Sequence, residues 1–269
     1  MKFDLHTHHY RCGHADGTIE DYVKAGIDAG LQVIGISDHS PYFAHEDEQP
    51  FPKIAMARSE LTHYIEEVLR LKAKYEGTID VLLGLESDYF PDVFEAYRKV
   101  YADLPFDYLI GSVHQTNGVS IFNRNRWKHL NEEQQIAEKR HYYKLIADSA
   151  RTGIFQILGH IDAMKGYYPA FSDLPAQDTV DETLRVIAEC GVAIEINTSG
   201  KTKDVGGWYP SQAILERAHH YGVDVTFGSD AHVPSRVGDD WELVRAKLKE
   251  IGFKHWVYYK NKKRIEVSL

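Results

Sequence analysis

Two histidines two positions apart, His6 and His8, lie in the opening stretch Lys2-Phe3-Asp4-Leu5-His6-Thr7-His8. Side chains alternate along an extended chain, so Phe3 and Leu5 face one way and Asp4, His6 and His8 the other. At roughly 3.3 Å of rise per residue the two imidazoles leave one face about 7 Å apart at Cα, close enough to share a metal ion. A single His-x-His is common on surface strands, but here the pattern recurs. Five later apolar stretches each run into a His, Asp or Glu: residues 33–37 into His39, 80–85 into Glu86, 108–113 into His114, 155–159 into His160, and 223–229 into Asp230 and His232.

The elements that must position these residues alternate regularly. A capping box from Thr18 to Asp21 opens a helix to about Ala29, with Gly30 as its stop. Further helices are expected over 54–75, 91–101, 131–151, 178–190 and 211–221, and a seventh strand over 192–196 ends in Asn197-Thr198-Ser199-Gly200. Apolar strands separated by amphipathic helices mean parallel strands buried on both faces. Seven such repeats favour a closed or nearly closed α/β barrel over a doubly wound open sheet, and no Gly-rich phosphate loop follows the first strand. Residues 256–259 read either as an eighth strand or as a segment outside the barrel, and the basic run 260–264 as a solvated tail. No linker or composition break divides the chain, so one domain over 1–269 is expected.

Bulk properties narrow the function classes. The chain has 269 residues, 43% hydrophobic and 26% charged, with a net charge of -9 that disfavours a nucleic-acid surface. Two cysteines, Cys12 and Cys190, make no disulfide framework, and no apolar run is long enough to cross a membrane, so a reducing cytoplasm is expected. Fifteen histidines are the departure to follow.

In a parallel barrel the C-terminal ends of the strands share the face that carries the active site. His6, His8, His39, Glu86, His114, His160, Asp230 and His232 all fall at predicted strand ends, and His14 joins them from the first loop. His63, His141, His219 and His220 lie inside predicted helices, and His9 points to the opposite face of the first strand; none is assigned a role. Nine candidates are too many for one tetrahedral ion. They fit two or three divalent ions sharing a bridging carboxylate, with nitrogen and oxygen ligands suited to zinc, manganese or iron. Clustered divalent ions bind phosphoryl oxygens, lower the pKa of a bound water toward about 7 and steady the leaving oxygen, so hydrolysis of a phosphate ester is the expected chemistry.

The motifs Asp4-Leu5-His6-Thr7-His8, Ser37-Asp38-His39, Gly84-Leu85-Glu86, Ser112-Val113-His114, Gly159-His160-Ile161-Asp162 and Gly228-Ser229-Asp230-Ala231-His232 resemble, in order, those of the polymerase and histidinol phosphatase (PHP) family. The segment from His45 to Pro50 with the helix after it, and Glu195-Ile196-Asn197-Thr198-Ser199-Gly200, resemble its monofunctional histidinol-phosphate phosphatases. The resemblance implies a distorted parallel (β/α)7 TIM-like barrel and a trinuclear centre. In that centre His6, His8, Glu86 and Asp230 would hold one ion, Glu86 would bridge to a second held by His114 and His160, and His14, His39 and His232 would hold the third. It implies hydrolysis of L-histidinol phosphate in histidine biosynthesis, with a metal-bridging hydroxide attacking phosphorus in line.

Lys165 and Lys203 stand where relatives carry basic residues and are candidates for the substrate phosphate, with Arg11 and Arg236 in reserve. The loops 45–49 and 117–126 and Tyr167-Tyr168 are candidates for the substrate pocket, with Glu46, Asp47 and Glu48 as partners for the substrate amine. Two other readings stay open: a PHP-family phosphoesterase acting on small nucleotides or sugar phosphates, and a non-catalytic metal-binding module.

Overall fold

The alternation at the start of the chain becomes strand β1 (Phe3–Asp4), with Phe3 buried against the core and Asp4 turned inward. The computed structural model describes residues 1–269. After β1 come α1 (Ile19–Asp28), β2 (Val33–Ile36), α2 (Glu60–Lys74), β3 (Asp80–Leu83), β4 (Glu86–Asp88), α3 (Phe94–Tyr101) and β5 (Ile110–Ser112). A small hairpin of β6 (Gln115–Thr116) and β7 (Val119–Ser120) follows, then α4 (Glu132–Arg151), β8 (Ile157–Leu158), α5 (Gln177–Cys190), β9 (Ala193–Asn197), α6 (Gln212–Tyr221), β10 (Val225–Gly228) and α7 (Trp241–Ile251). The chain ends in β11 (His255–Lys260) and β12 (Lys263–Ser268).

The strands pair in parallel as β1-β2-β3 and as β4-β5-β8-β9-β10. β3 and β4 are one strand position interrupted at Gly84-Leu85, and the ring closes where Leu5 N donates to Phe227 O at 3.1 Å and Thr7 bridges Ala231. This is the expected seven-stranded barrel, and its distortion has a steric cause. The Tyr108 side chain enters the interior to donate to Leu5 O at 2.5 Å. A Cβ on Gly35 would fall 1.9 Å from the Tyr108 hydroxyl, and one on Gly84 would fall 2.4 Å from its ring. Both positions therefore require glycine. The Tyr64 hydroxyl lies 2.6 Å from Gly84 O and 2.8 Å from Ile36 O; Ile36 O also accepts from Gly84 N at 2.7 Å, so Tyr64 reinforces the join between β2 and β3 at this point.

Capping boxes at Thr18/Asp21 and Asn131/Gln134 start α1 and α4 where expected. α2 starts at Glu60 rather than at 54. Glu48 accepts from Ser59 N at 2.6 Å while Arg58 holds the carbonyls of His45 and Glu46, so the chain before Glu60 is a braced loop. α7 has no counterpart among the expected helices, although Trp241, Val244 and Leu248 are buried along one of its faces.

Residues 256–259 lie outside the barrel. β11 and β12 form an antiparallel hairpin across its N-terminal end, where Trp256 packs 4.9 Å from Phe3 and 4.8 Å from Trp241. The basic run is not a free tail, because Lys260 pairs with Asp80 and Arg264 with Asp224. A continuous apolar core from Phe3 to Val267 joins the hairpin and α7 to the barrel. No helix is long and apolar enough to cross a membrane, and both cysteines are free thiols.

Candidate metal centre

The strand ends converge on one cage. His6 and His8, just beyond β1, have rings 5.0 Å apart, and their Nε2 atoms face Glu86 Oε2 at 3.4 and 3.6 Å. Asp230, just beyond β10, places Oδ1 3.1 Å from His8 Nε2 and 3.8 Å from His6 Nε2. The other oxygen of Glu86 faces a second pair, 3.0 Å from His160 Nε2 and 3.4 Å from His114 Nε2, and accepts from Ser112 Oγ at 2.6 Å. Glu86 thus stands between two groups of imidazoles. A third group lies nearer solvent: His14 and His232 approach Nε2 to Nε2 at 2.9 Å, and the His39 ring is 5.2 Å from that of His14. All nine candidates come together.

Five of the seven imidazoles are oriented through Nδ1. Carboxylates do this for His6 (Glu195, 2.8 Å), His8 (Asp38, 3.1 Å) and His114 (Asp88, 2.8 Å). Backbone carbonyls do it for His14 (Cys12, 3.3 Å) and His232 (Asp230, 3.0 Å). Engaging Nδ1 as donor leaves the Nε2 lone pair facing inward, the arrangement that metal-binding imidazoles need. His39 differs, with Nδ1 2.9 Å from Glu86 Oε2. Among the cage imidazoles His6 Nε2 and His160 Nδ1 are buried without a hydrogen-bond partner. A buried polar atom left so costs about 1–3 kcal/mol. His160 and Asp230 are also held at φ 29° and 51°, left-handed conformations that side chains other than glycine adopt rarely. Converging lone pairs, mixed nitrogen and oxygen donors and orphaned atoms fit divalent ions.

The carboxylates behind the imidazoles carry no expectation from the sequence alone. Glu195, fully buried, reaches beyond one imidazole: besides His6 it accepts from His160 N at 2.9 Å and from Asn197 Nδ2 at 2.7 Å. Its signal in the sequence is one charge inside the apolar run 192–196, where Ala193, Glu195 and Asn197 alternate with Ile194 and Ile196. His9, expected on the opposite face, is buried with Nδ1 3.2 Å from Asp38 Oδ2 and its ring stacked on Tyr64.

Of the candidate cations, Lys165 is buried with Nζ 2.7 Å from Asp162, Arg11 is bound by Glu60 and Glu67, and Arg236 pairs with Asp239. Lys203 has no carboxylate partner; its Nζ lies 5.9 Å from the Phe122 ring and 5.8 Å from that of Tyr167, and Phe122 is 6.2 Å from His114. Tyr168 stacks on Trp127 instead of facing the cage. Of the three expected amine partners, Glu48 is engaged just before α2, while Glu46 and Asp47 are exposed, their carboxylates unpaired with Arg or Lys.

In the ion-free protein the cage sorts its own protons. Burial opposes charge on His8, but hydrogen bonds to Asp230 and Asp38 outweigh it and push the imidazole up to about 9. Burial is likewise overcome at His114, where Asp88 and Glu86 push it up to about 9. Burial, with the charges of His39 and His8, takes His14 down to about 4, and burial with His8 takes His232 down to about 3. A raised imidazole stabilises the fold below its ordinary value and loses that contribution as pH climbs through 9; a lowered one destabilises once pH falls below the ordinary value. The melting temperature of chelated protein is therefore expected to peak near about pH 6.5 and to fall toward pH 9.5 and toward pH 4. A steady rise from pH 6.5 to 9.5 in thermal scans of chelated samples contradicts this.

A family model described as the PHP domain matches residues 4–199. A probable histidinol-phosphatase of Deinococcus radiodurans is 33% identical over 250 residues, covering 93% of each chain. The histidinol-phosphatase of Bacillus subtilis is 30% identical over 264 residues, 90% of this chain and 97% of that one. The crystal structure of histidinol phosphate phosphatase from Lactococcus lactis subsp. lactis, complexed with zinc, L-histidinol and phosphate, superposes with a TM-score of 0.81 over 98% of both chains, at 20% identity.

Proposed function

The chain belongs to the PHP domain family, and from that premise we propose that it is a histidinol-phosphatase, hydrolysing L-histidinol phosphate to L-histidinol and phosphate in histidine biosynthesis. The observation that carries this reading is the cage of inward-facing Nε2 atoms around the buried Glu86, in a chain one-third identical to a probable histidinol-phosphatase. The two free thiols accord with a reducing cytoplasm.

His6, His8, Glu86 and Asp230 would hold one divalent ion, His114 and His160 with the shared Glu86 a second, and His14, His39 and His232 a third. Bound there, zinc, manganese or iron would activate water and neutralise phosphoryl oxygens. The chain's own residues do the rest. Glu195, Asp38 and Asp88 fix the tautomers of His6, His8 and His114, and the Ser112 hydroxyl holds one oxygen of Glu86. Lys203, free of any carboxylate and flanked by Phe122 and Tyr167, supplies positive charge to the substrate phosphate, whereas the buried Lys165 is neutralised by Asp162.

The test is phosphate release from L-histidinol phosphate beside a nucleotide and a sugar phosphate, with chelated protein and with protein reloaded with Mn or Zn. Preference for L-histidinol phosphate, abolished by chelation, is the expected result. Turnover of another ester alone would move the enzyme to a sister substrate, and no turnover with any metal would leave a binding module. Lys203→Ala removes one charge-assisted contact of about 1.5–3 kcal/mol, so kcat/KM is expected to fall about ten- to a hundred-fold, mostly through KM. Unchanged steady-state kinetics in this variant would remove Lys203 from the phosphate site.

A further inference from the structure

The nine candidate ligands are not equally supported, and the inequality follows one direction through the cage. Toward the barrel interior, His6, His8 and His160 are nearly or fully buried, and the donor set includes the two carboxylates Glu86 and Asp230. His6, His8 and His114 each have a further carboxylate behind Nδ1. Toward the mouth, His14 is exposed and His232 is 31% exposed; their Nδ1 atoms lean on the backbone carbonyls of Cys12 at 3.3 Å and Asp230 at 3.0 Å, and the only carboxylate near either is Asp230 Oδ1, 3.5 Å from His232 and already part of the inner donor set. His39 completes that outer group. Its one carboxylate contact is Glu86, which the inner pairs already share.

Three physical effects act together. Anionic donors attract a dication more strongly than neutral imidazoles do. A carboxylate at Nδ1 makes the imidazole a better donor and locks its orientation, and losing such a partner weakens metal binding about 10–100-fold. Solvent at the mouth competes for the outer ion and screens its attraction to the ligands, as it does little inside. The outer trio has no carboxylate of its own, sharing Glu86 and Asp230 with the inner ions, and two of its three imidazoles, His14 and His232, face solvent.

We infer that the centre is built in two tiers: the inner residues retain their ions, while His14, His39 and His232 hold a divalent ion that exchanges with the surrounding solution. Occupancy of the outer position then follows free metal concentration, and the enzyme responds to metal supply without losing its inner ions. This proposal rests on the metal-centre reading above.

Protein saturated with Zn or Mn is titrated with a chromophoric chelator, and the metal remaining per chain is measured by mass spectrometry. The expected result is a biphasic release, one ion leaving at least about ten-fold more readily than the others. His14→Ala, a change in an exposed loop, removes that first phase and leaves the rest in place. Asp88→Asn, which removes a carboxylate from behind His114, moves one retained ion into the labile phase. Release of all ions in one step, or a first phase that persists in His14→Ala, overturns the two-tier centre while leaving the metal-centre reading intact. A saturated protein that carries no ion overturns both.

Discussion

Replacing Glu86 with glutamine is expected to lower kcat for phosphate release on the order of a thousand-fold, the upper end for losing one electrostatic group in a closed site. The carboxylate lies within 3.6 Å of His6, His8, His39, His114 and His160, and both of its oxygens are committed, Oε1 toward His114 and His160 and Oε2 toward His6, His8 and His39. Glutamine keeps the volume but presents one oxygen and one NH2 group. Whichever way the amide turns, a donor faces imidazole nitrogens whose lone pairs also point inward. The shared position loses its charge and one of its two acceptors. Metal content of the purified variant separates the causes: fewer bound ions accompany the loss if Glu86 bridges them, whereas full metal content with full activity would remove it from the centre.

Glu195 has the second large expected effect, and two substitutions divide its roles. Glu195→Ala leaves the His6 ring nitrogen, the His160 amide and the Asn197 amide facing a void in a fully buried place. Breaking a buried hydrogen-bonded pair in this way costs about 3–5 kcal/mol, so urea unfolding of the chelated variant should show a lower midpoint with an unchanged slope. Glu195→Gln can still accept from His160 N, but an NH2 group turned toward His6 makes Nδ1 the acceptor and moves the imidazole proton to Nε2. That tautomer closes the lone pair aimed into the cage. The glutamine variant is expected to fold with a small loss of stability and to bind metal about 10–100-fold more weakly. Equal stability losses in both variants with normal metal affinity would make Glu195 a packing residue only.

Strand ends were legible in the sequence because strand periodicity is local: apolar runs a few residues long, each closed by His, Asp or Glu, place those groups on one rim of a parallel barrel. The supporting carboxylates were not legible. Asp38 lies 30 residues from His8, Asp88 26 residues from His114 and Glu195 189 residues from His6, and only the closed barrel sets which acid stands behind which imidazole. Two local signals also lie within the sequence itself. Asn117-Gly118, with both φ angles positive, is a hairpin turn and joins β6 to β7 inside what reads as one long loop. The helical spacing of Trp241, Val244 and Leu248 lies just beyond Pro234 and Gly238, which read as irregular chain. Arg58 and Glu48 convert the expected first turns of α2 into a loop, a tertiary effect that helical periodicity does not register.

The seam between β1 and β10 gives the centre a part in folding as well as in chemistry. Few backbone bonds hold this join, among them Leu5 N to Phe227 O and His8 N to Ala231 O, with Asp4 accepting from Ser229 N across a sequence separation of 225. Contacts this distant in sequence form late, because nearly the whole chain must be ordered before they become favourable. His6, His8 and Asp230 stand on either side of the seam, so an ion held between them would strap the barrel shut, restraining a very long loop as a disulfide would, without oxidation. Such an inner ion would keep the ring shut while the outer position exchanges, and its capture would mark the moment at which the first and last barrel strands have met.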